Sequence, residues 1–462
     1  MRLITRREAK FRQQHLSCVR HTTLDPYGPG VVRMHLIPPR SDAPREPFLL
    51  LLNGAQLVPL NLSWAILLSN FMEQLEAYSG KELTESDWAK ITLHTVSNTQ
   101  KVYPRTKAPV LEADLQLLLS SLLAIARGEE PEAEVALLTL GEYAPHMTAP
   151  HRMDLMVSAM TKNGTWHCNQ KCLHCYAACQ PMAEVGELST EEWKTVLAKL
   201  RQANIPQVTF TGGEPTMRED LVELVDAAQW FVTRLNTNGR LLTEQLCRAL
   251  YEASLDSVQV TLYSADAAKH NALVGAPGFE DTVQGIRNAV AADLIVSVNT
   301  PLCTLNADYA RTLRFAHSLG VRYATCSGLI PSGEALGEGS RATRLSAEAL
   351  TDILRDAVAT AAELNMELDF TSPGWLDEET LRGLGLSLIP SCGACLSNMA
   401  IAPDGTVVPC QSWLGGVTLG HILREEWSAI WDGEHCRAIR GESAKMEHIC
   451  QLHTGNTGGE GA

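Results

Sequence analysis

Three cysteines within eight residues, Cys168-Asn-Gln-Lys-Cys172-Leu-His-Cys175-Tyr176, carry the most specific chemistry in this chain. Thiolates so spaced hold three irons of an iron–sulfur cubane, and a loop this short does not easily reach the fourth corner. The fourth iron is then open to chelate the amine and carboxylate of a methionine moiety. A zinc site, or a four-ligand electron-transfer cluster completed by Cys179, is the competing chemistry. Cys179 is expected beside the cluster rather than on it, and His174 is expected to point outward. A second group follows in Pro390-Ser-Cys392-Gly-Ala-Cys395 and Ile401-Ala-Pro-Asp-Gly405-Thr-Val-Val-Pro-Cys410. Asp404-Gly405 is a tight-turn signal between two strands, so the hairpin returns Cys410 towards Cys392 and Cys395. Three thiolates meeting there make a metal site, for which a zinc knuckle is the alternative.

An alternating series of strands and helices has to position these residues. Ser189 to Glu192 forms a capping box, and Trp193, Val196, Leu197 and Leu200 follow at one-face helical spacing. Strands are expected at 207–211, through 235–239, and at 257–263, 294–300, 322–326 and 366–370, with helices between them. Consecutive βα units argue for an α/β fold, a parallel sheet wound in one direction as an open or closed barrel. Residues 1–150 carry no chemical motif and are read as an α+β domain, with a strand ending at the Asn53-Gly54 turn. The expected divisions are 1–150, 151–370, 371–453 and a flexible tail, 454–462.

The net charge of −15 disfavours nucleic acid and anionic membranes as partners, since both reward positive surface. No uninterrupted apolar run of spanning length is present; Leu111 to Ala126, broken by Glu112 and Asp114, reads as a core helix. Without a secretory signal at the N-terminus, the protein is expected in the cytoplasm. In that reducing compartment clustered cysteines point to metal or redox chemistry rather than to disulfides. Cys18, Cys247, Cys303, Cys326 and Cys436 are scattered and read as small buried hydrophobes.

The spacing of Cys168, Cys172 and Cys175 with Tyr176 after them resembles the signature of the radical S-adenosylmethionine (SAM) superfamily. That resemblance implies a partial (βα)6 TIM-like barrel whose triad binds a [4Fe–4S] cluster, with Tyr176 near the SAM adenine. Thr211-Gly-Gly-Glu-Pro215 resembles the family's Gly-Gly-Glu-Pro element. Gly212 and Gly213 would let the backbone approach the ligand, and Glu214 would accept from the SAM ammonium. Thr237-Asn238-Gly239 stands where relatives border the ribose. Ser264-x-Asp266 with His270 and Asn271 is similar to the family's Ser-Leu-Asp-Gly … His-Asp stretch, although Tyr263 and Ala265 depart from it. It implies Ser264 and Asn299 as further SAM contacts.

The second group, followed by Leu419-Gly-His-Ile and a helix bearing Trp427 and Trp431, resembles the SPASM/twitch extension of such enzymes. The full pattern has more cysteines than this chain supplies, which implies one auxiliary [4Fe–4S] cluster on Cys392, Cys395 and Cys410. Cys450 is the expected fourth ligand, with His453 or a substrate atom as alternatives, and Cys436 is read as structural. Gln411 stands where sulfatase-maturing relatives carry a basic Asp, which disfavours that activity. The hairpin-to-helix stretch around Asn61-Leu-Ser-Trp64 is similar to winged-helix peptide-binding domains, which add a strand of leader peptide to a sheet edge.

Together these resemblances imply reductive cleavage of SAM to a 5′-deoxyadenosyl radical that abstracts hydrogen from a ribosomally made peptide or protein. An external reductant such as flavodoxin or ferredoxin would supply the electron. Oxidation of a small molecule or tetrapyrrole side chain is the alternative enzymatic reading. A non-catalytic iron–sulfur electron carrier is the reading from a different class.

Overall fold

The computed structural model describes residues 4–24, 32–39, 47–53, 56–78, 83–127, 129–133, 135, 137–386, 388–446 and 449–453. Gly54 of the expected Asn53-Gly54 turn and the tail 454–462 lie outside them. The chain forms two compact units, Met1–Thr148 and Ala149–Ala462.

In the first unit, four strands make an antiparallel sheet in sequence order: β1 (Arg20–Leu24), β2 (Val32–Ile37), β3 (Phe48–Leu52) and β4 (Gln56–Leu60). Asn53 turns the chain out of β3 with a φ of +47°, a left-handed conformation that Asn tolerates better than most residues. Helices Leu62–Glu76, Glu85–Val102 and Ala108–Ala126 follow. The first begins where the Asn61 side chain accepts the Trp64 amide. Ala108–Ala126 is long and apolar enough to cross a membrane by length and composition. Its Leu111, Leu115, Leu118, Leu122 and Ile125 repeat every three or four residues, and that stripe is buried in the core of this unit. Each such leucine contributes roughly 1.5–3 kcal/mol by leaving water, so core packing explains the apolar run.

The second unit is built on one ten-stranded sheet. Seven parallel strands follow the chain: β5 (Arg152–Ser158), β6 (Gln207–Gly212), β7 (Val232–Thr237), β8 (Ser257–Thr261), β9 (Ile295–Pro301), β10 (Tyr323–Ser327) and β11 (Glu367–Phe370). β11 thus adds a seventh parallel strand at the edge. Helices lie between the strands; Thr190–Gln202 starts at the Ser189–Glu192 capping box and buries Trp193, Val196, Leu197 and Leu200. On the other edge, β12 (Asn398–Ile401) pairs in parallel with β5 and continues antiparallel into β13 (Thr406–Val408) and β14 (Gly420–His421). The hairpin of the second cysteine group therefore shares a sheet with the barrel strands.

Two strand ends meet closely beneath the first cysteine loop. Gly212, with φ +136°, ends β6, and a Cβ there would stand 2.1 Å from the Ser158 carbonyl oxygen that ends β5. The next amide, Gly213 N–H, donates to that same carbonyl at 2.8 Å. Only glycine permits this approach and this backbone conformation. Both glycines, expected at the ligand, line the cavity as well as packing against the adjacent strand.

His151 and His270 are among the buried histidines that tie the stability of this unit to pH. Burial lowers both His151 and His270 to about 4, below the ~6.5 of an unfolded imidazole. As pH falls the unfolded chain binds protons first, so this stabilisation is complete above about 6.5 and drains away towards 4. The urea midpoint of the cluster-free chain should fall between pH 7.5 and pH 5. His270→Asn, which keeps an acceptor for the Tyr263 amide, should shallow that fall; an unchanged slope would remove His270 from the account.

Candidate functional site

The first cysteine loop leaves β5 and is held by backbone bonds at several points. Lys171 N–H donates to Val274 O at 3.0 Å, Leu173 N–H to Leu273 O at 2.9 Å, and Glu334 N–H to Cys175 O at 3.0 Å. Gly275, with φ +65°, leaves room for Lys171 O, which a Cβ would approach to 2.3 Å. His174 does not point outward. It is buried, with Nε2 2.8 Å from Thr343 Oγ1, while Thr343 Oγ1 donates to Ser340 O at 2.7 Å. The Thr343 proton is thereby committed, so Nε2 carries the imidazole proton. Burial lowers this histidine to about 4, and it stays neutral at pH 7. The exposed Cys179 donates to Glu334 Oε1 at 3.3 Å, beside the loop rather than within it.

Glu214 locks the strand ends to that loop. Its Oε1 accepts from Thr216 N at 3.0 Å, Thr216 Oγ1 at 2.5 Å and Thr237 Oγ1 at 2.7 Å, while Oε2 accepts from Asn238 N at 2.8 Å. Burial raises its pKa and these four bonds oppose the rise. Three donors occupy Oε1, so Oε2 keeps the free capacity. Asn238 Nδ2 then donates to Asn169 Oδ1 at 2.5 Å, and Arg240 donates to Asn169 O at 2.7 Å. Cys168 Sγ in turn donates to Gly213 O at 3.3 Å. Ser264 is directed elsewhere: its buried hydroxyl accepts the Asp266 amide at 3.1 Å, opening helix Ala267–Val274, and it does not line the cavity. The aromatic neighbour, Tyr263, lines the cavity in its place. Asn299 faces the cavity and accepts from Thr325 Oγ1 at 2.9 Å.

Tyr176 and Gln180 join the two cysteine groups. The Tyr176 hydroxyl donates to Gln411 Oε1 at 3.4 Å, and Gln180 Nε2 donates to the carbonyls of Tyr176 and Ser412. Gln180 Oε1 accepts from Leu414 N at 3.1 Å. Beneath them Met156, Met160, Ala177, Ala178, Ala400, Val408 and Leu414 form one apolar cluster, against which Cys168 and Cys175 pack. A cavity of about 440 Å³ is lined by Cys168, Cys172 and Cys175 and also by Cys392, Cys410 and Cys450.

The second group divides into pairs. Cys450 donates to Cys392, whose pKa falls to about 5 through that bond, while the same pairing and burial raise Cys450. Cys395, expected among the ligands, is fully buried with φ +52°, bonds Cys436 and does not line the cavity. Cys436 is lowered by that bond and by Arg440, which donates to its sulfur at 3.5 Å. Cys436, Arg440 and Ser443 lie on one face of helix Glu434–Lys445, the i, i+4, i+7 spacing that would have flagged this contact in the sequence. His453 lines the cavity and stacks edge-on with Trp375 at 5.7 Å between centroids.

Sequence reading passed over the barrel lumen. Arg152 and Asp154 on β5, Thr209 and Thr211 on β6, Arg234 and Asn236 on β7 and Gln259 on β8 all line the cavity. Their alternates, such as Leu155, Phe210, Leu235 and Val258, are buried apolar residues. That two-residue alternation is visible in the sequence and marks the polar face of each strand.

The donor chemistry fits iron–sulfur clusters. Each of the two sets facing the cavity is made of thiols. Burial first, and then the charges of neighbouring cysteines, push Cys168 and Cys410 up to about 12 and raise Cys172 as well. Such thiols ionise when a metal takes the proton's place. Among the described residues no three His, Cys, Asp or Glu side chains converge on a single metal ion.

Comparison with known proteins agrees. The radical SAM superfamily pattern matches residues 163–326, and an iron–sulfur cluster-binding domain (SPASM) matches residues 392–452. An AdoMet-dependent heme synthase of Oleidesulfovibrio alaskensis is 31% identical over 312 residues, covering 63% of this chain and 79% of that protein. Among solved structures, Streptococcus suis SuiB bound to its precursor peptide SuiA has a TM-score of 0.59 at 12% identity, covering 88% of this chain and 93% of SuiB. Native anSMEcpe with bound AdoMet has a TM-score of 0.52 at 16% identity, covering 64% of this chain and 84% of that one. With its parallel partial barrel and two cavity-facing cysteine groups, the chain belongs to the radical SAM superfamily: it is an enzyme that binds a [4Fe–4S] cluster and SAM and carries a SPASM domain for auxiliary iron–sulfur chemistry.

Proposed function

We propose that this enzyme matures a ribosomally made peptide or protein by hydrogen abstraction. In this reading Cys168, Cys172 and Cys175 hold the SAM-binding cluster, and Cys392, Cys410 and Cys450 hold one auxiliary cluster. Cys395, turned towards Cys436, stands behind that second set. The observation that carries the reading is one cavity lined by both cysteine sets, with room for a substrate between them. A cluster held by Cys168, Cys172 and Cys175 would supply one-electron reduction for SAM cleavage, drawing that electron from an external reductant. The chain's own residues hold Tyr176 beside the triad, keep Glu214 Oε2 available to an ammonium group and exclude water with the apolar cluster under both loops.

Two observations favour a peptide. The Met1–Thr148 unit has an antiparallel sheet whose outer strand β1 offers an edge for strand addition, while the other outer strand, β4, already accepts the Leu138 amide at Leu57 O. The likeness to SuiB, solved with a precursor peptide, covers more of this chain than the second unit alone contains. One observation favours the second reading, oxidation of a tetrapyrrole side chain: the 31% identity to a heme synthase.

The anaerobically reconstituted enzyme with dithionite and SAM should release 5′-deoxyadenosine. Modification of a peptide encoded beside its gene would support the first reading, and decarboxylation of a propionate-bearing tetrapyrrole the second. Replacing Cys168, Cys172 and Cys175 together with Ala should abolish SAM cleavage and leave about four irons per chain. Iron falling to zero would mean that the second cysteine group holds no independent cluster. Removal of residues 1–148 should weaken precursor-peptide affinity and leave uncoupled SAM cleavage in place; unchanged affinity would take the recognition role from this unit.

A further inference from the structure

One charge in the cavity is used by neither cysteine group. Asp154 on β5, Thr209 on β6 and Arg234 on β7 stand side by side in register, which places the outer two α-carbons about 10 Å apart. Arg152, two residues before Asp154 on the same face, takes that carboxylate, with Nε 3.0 Å from Oδ1. Glu214, the other carboxylate on the lining, lies beyond the far end of β6 and is engaged by four donors. Arg234 is left. Among the described residues it makes no ion pair and donates no hydrogen bond, although it lines the cavity and keeps accessible surface there. The surrounding walls desolvate it and Arg152 repels it, so its pKa falls, yet a guanidinium stays protonated. Asp154 attracts it from two strands away, but that carboxylate is already paired with Arg152 and makes no ion pair with Arg234. Two residues further along the same face, Asn236 Oδ1 is buried without a partner among the described residues. It is an acceptor about 6.6 Å along the strand from the arginine.

We propose that Arg234 and Asn236 together receive an acidic residue of the substrate peptide: the side-chain carboxylate pairs with the Arg234 guanidinium while that residue's backbone N–H donates to Asn236 Oδ1. The planar fork of arginine suits a carboxylate, which accepts two parallel hydrogen bonds from it. An acid anchored at Arg234 sits on the cavity face of β7 before the end of that strand, so its neighbours in the peptide can extend towards the cysteine loops at the strand ends. This inference rests on the peptide reading of the cavity and gives that peptide a chemical identity.

The test uses the reconstituted full-length holoenzyme with SAM and titrates two pentapeptides, Gly-Gly-Glu-Gly-Gly and Gly-Gly-Gln-Gly-Gly, by anaerobic calorimetry. The glutamate peptide should bind about tenfold more tightly. Arg234→Gln should erase that preference, Arg234→Lys should restore part of it, and Asn236→Ala should weaken both peptides alike. Equal binding of the two peptides to the wild-type enzyme would overturn the proposal. So would a fall in SAM affinity that matches the peptide loss in Arg234→Gln, because it would assign the guanidinium to SAM. A parallel titration with a tetracarboxylate porphyrin separates the two levels. Arg234-dependent binding of the porphyrin, with neither peptide bound, would overturn the peptide reading while locating a carboxylate at the same arginine.

Discussion

A single buried carboxylate organises the mouth of the barrel. Glu214 accepts hydrogen bonds from Thr216, Thr237 and Asn238, so one side chain spans the ends of β6 and β7. Leaving such a group unpaired away from water would cost several kcal/mol, on the order of 2–7 even for a neutral polar group. The backbone around it therefore has little freedom. From Asn238 the chain of contacts runs to Asn169 and so to the cysteine loop. The positions of the three thiols thus depend on a residue that is none of them.

The second constraint is the close approach of neighbouring strands. β5 and β6 end with Gly212 pressed against Ser158, and the Gly213 carbonyl accepts the Cys168 thiol. On the opposite side of β5, β12 extends the sheet and brings Cys410 around its hairpin. Gln180 then ties that hairpin to the first cysteine loop through three hydrogen bonds. Sheet pairing sets the distance between the two cysteine groups, and this side-chain amide fixes their orientation. A rigid separation suits chemistry in which a substrate must sit between two electron carriers.

The lumen follows a different rule from the packed interior of a closed barrel, where branched apolar side chains fill the centre. Here the inward face of each strand is polar and the outward face apolar, so helix packing stabilises the sheet while the centre stays open. Threonines, asparagines and glutamine satisfy one another across strands, as Gln259 and Asn299 do with Thr325. Arg234 is a member of this lining that, among the described residues, makes no ion pair of its own.

How much of this was legible in the chain depended on the range of the interaction. The triad with Tyr176, the capping box at Ser189 and the alternating βα units follow from spacings of a few residues, and the structure places them as those spacings require. Local spacing does not say which way a side chain turns once strands from distant parts of the chain are paired. His174 turned inward because Thr343, from a far segment, offers its hydroxyl. Ser264 closed its own turn instead of facing the cavity. Cys395 met Cys436 because helix Glu434–Lys445 packs over the hairpin, a contact 41 residues away in sequence. The sequence by itself determined the soft, thiolate-rich chemistry and the parallel α/β scaffold, because both are short-range patterns. Only the tertiary structure decided which thiols share a cavity, what Glu214 supports and where Arg234 stands, because those depend on strand order and on burial far from each residue's own neighbours.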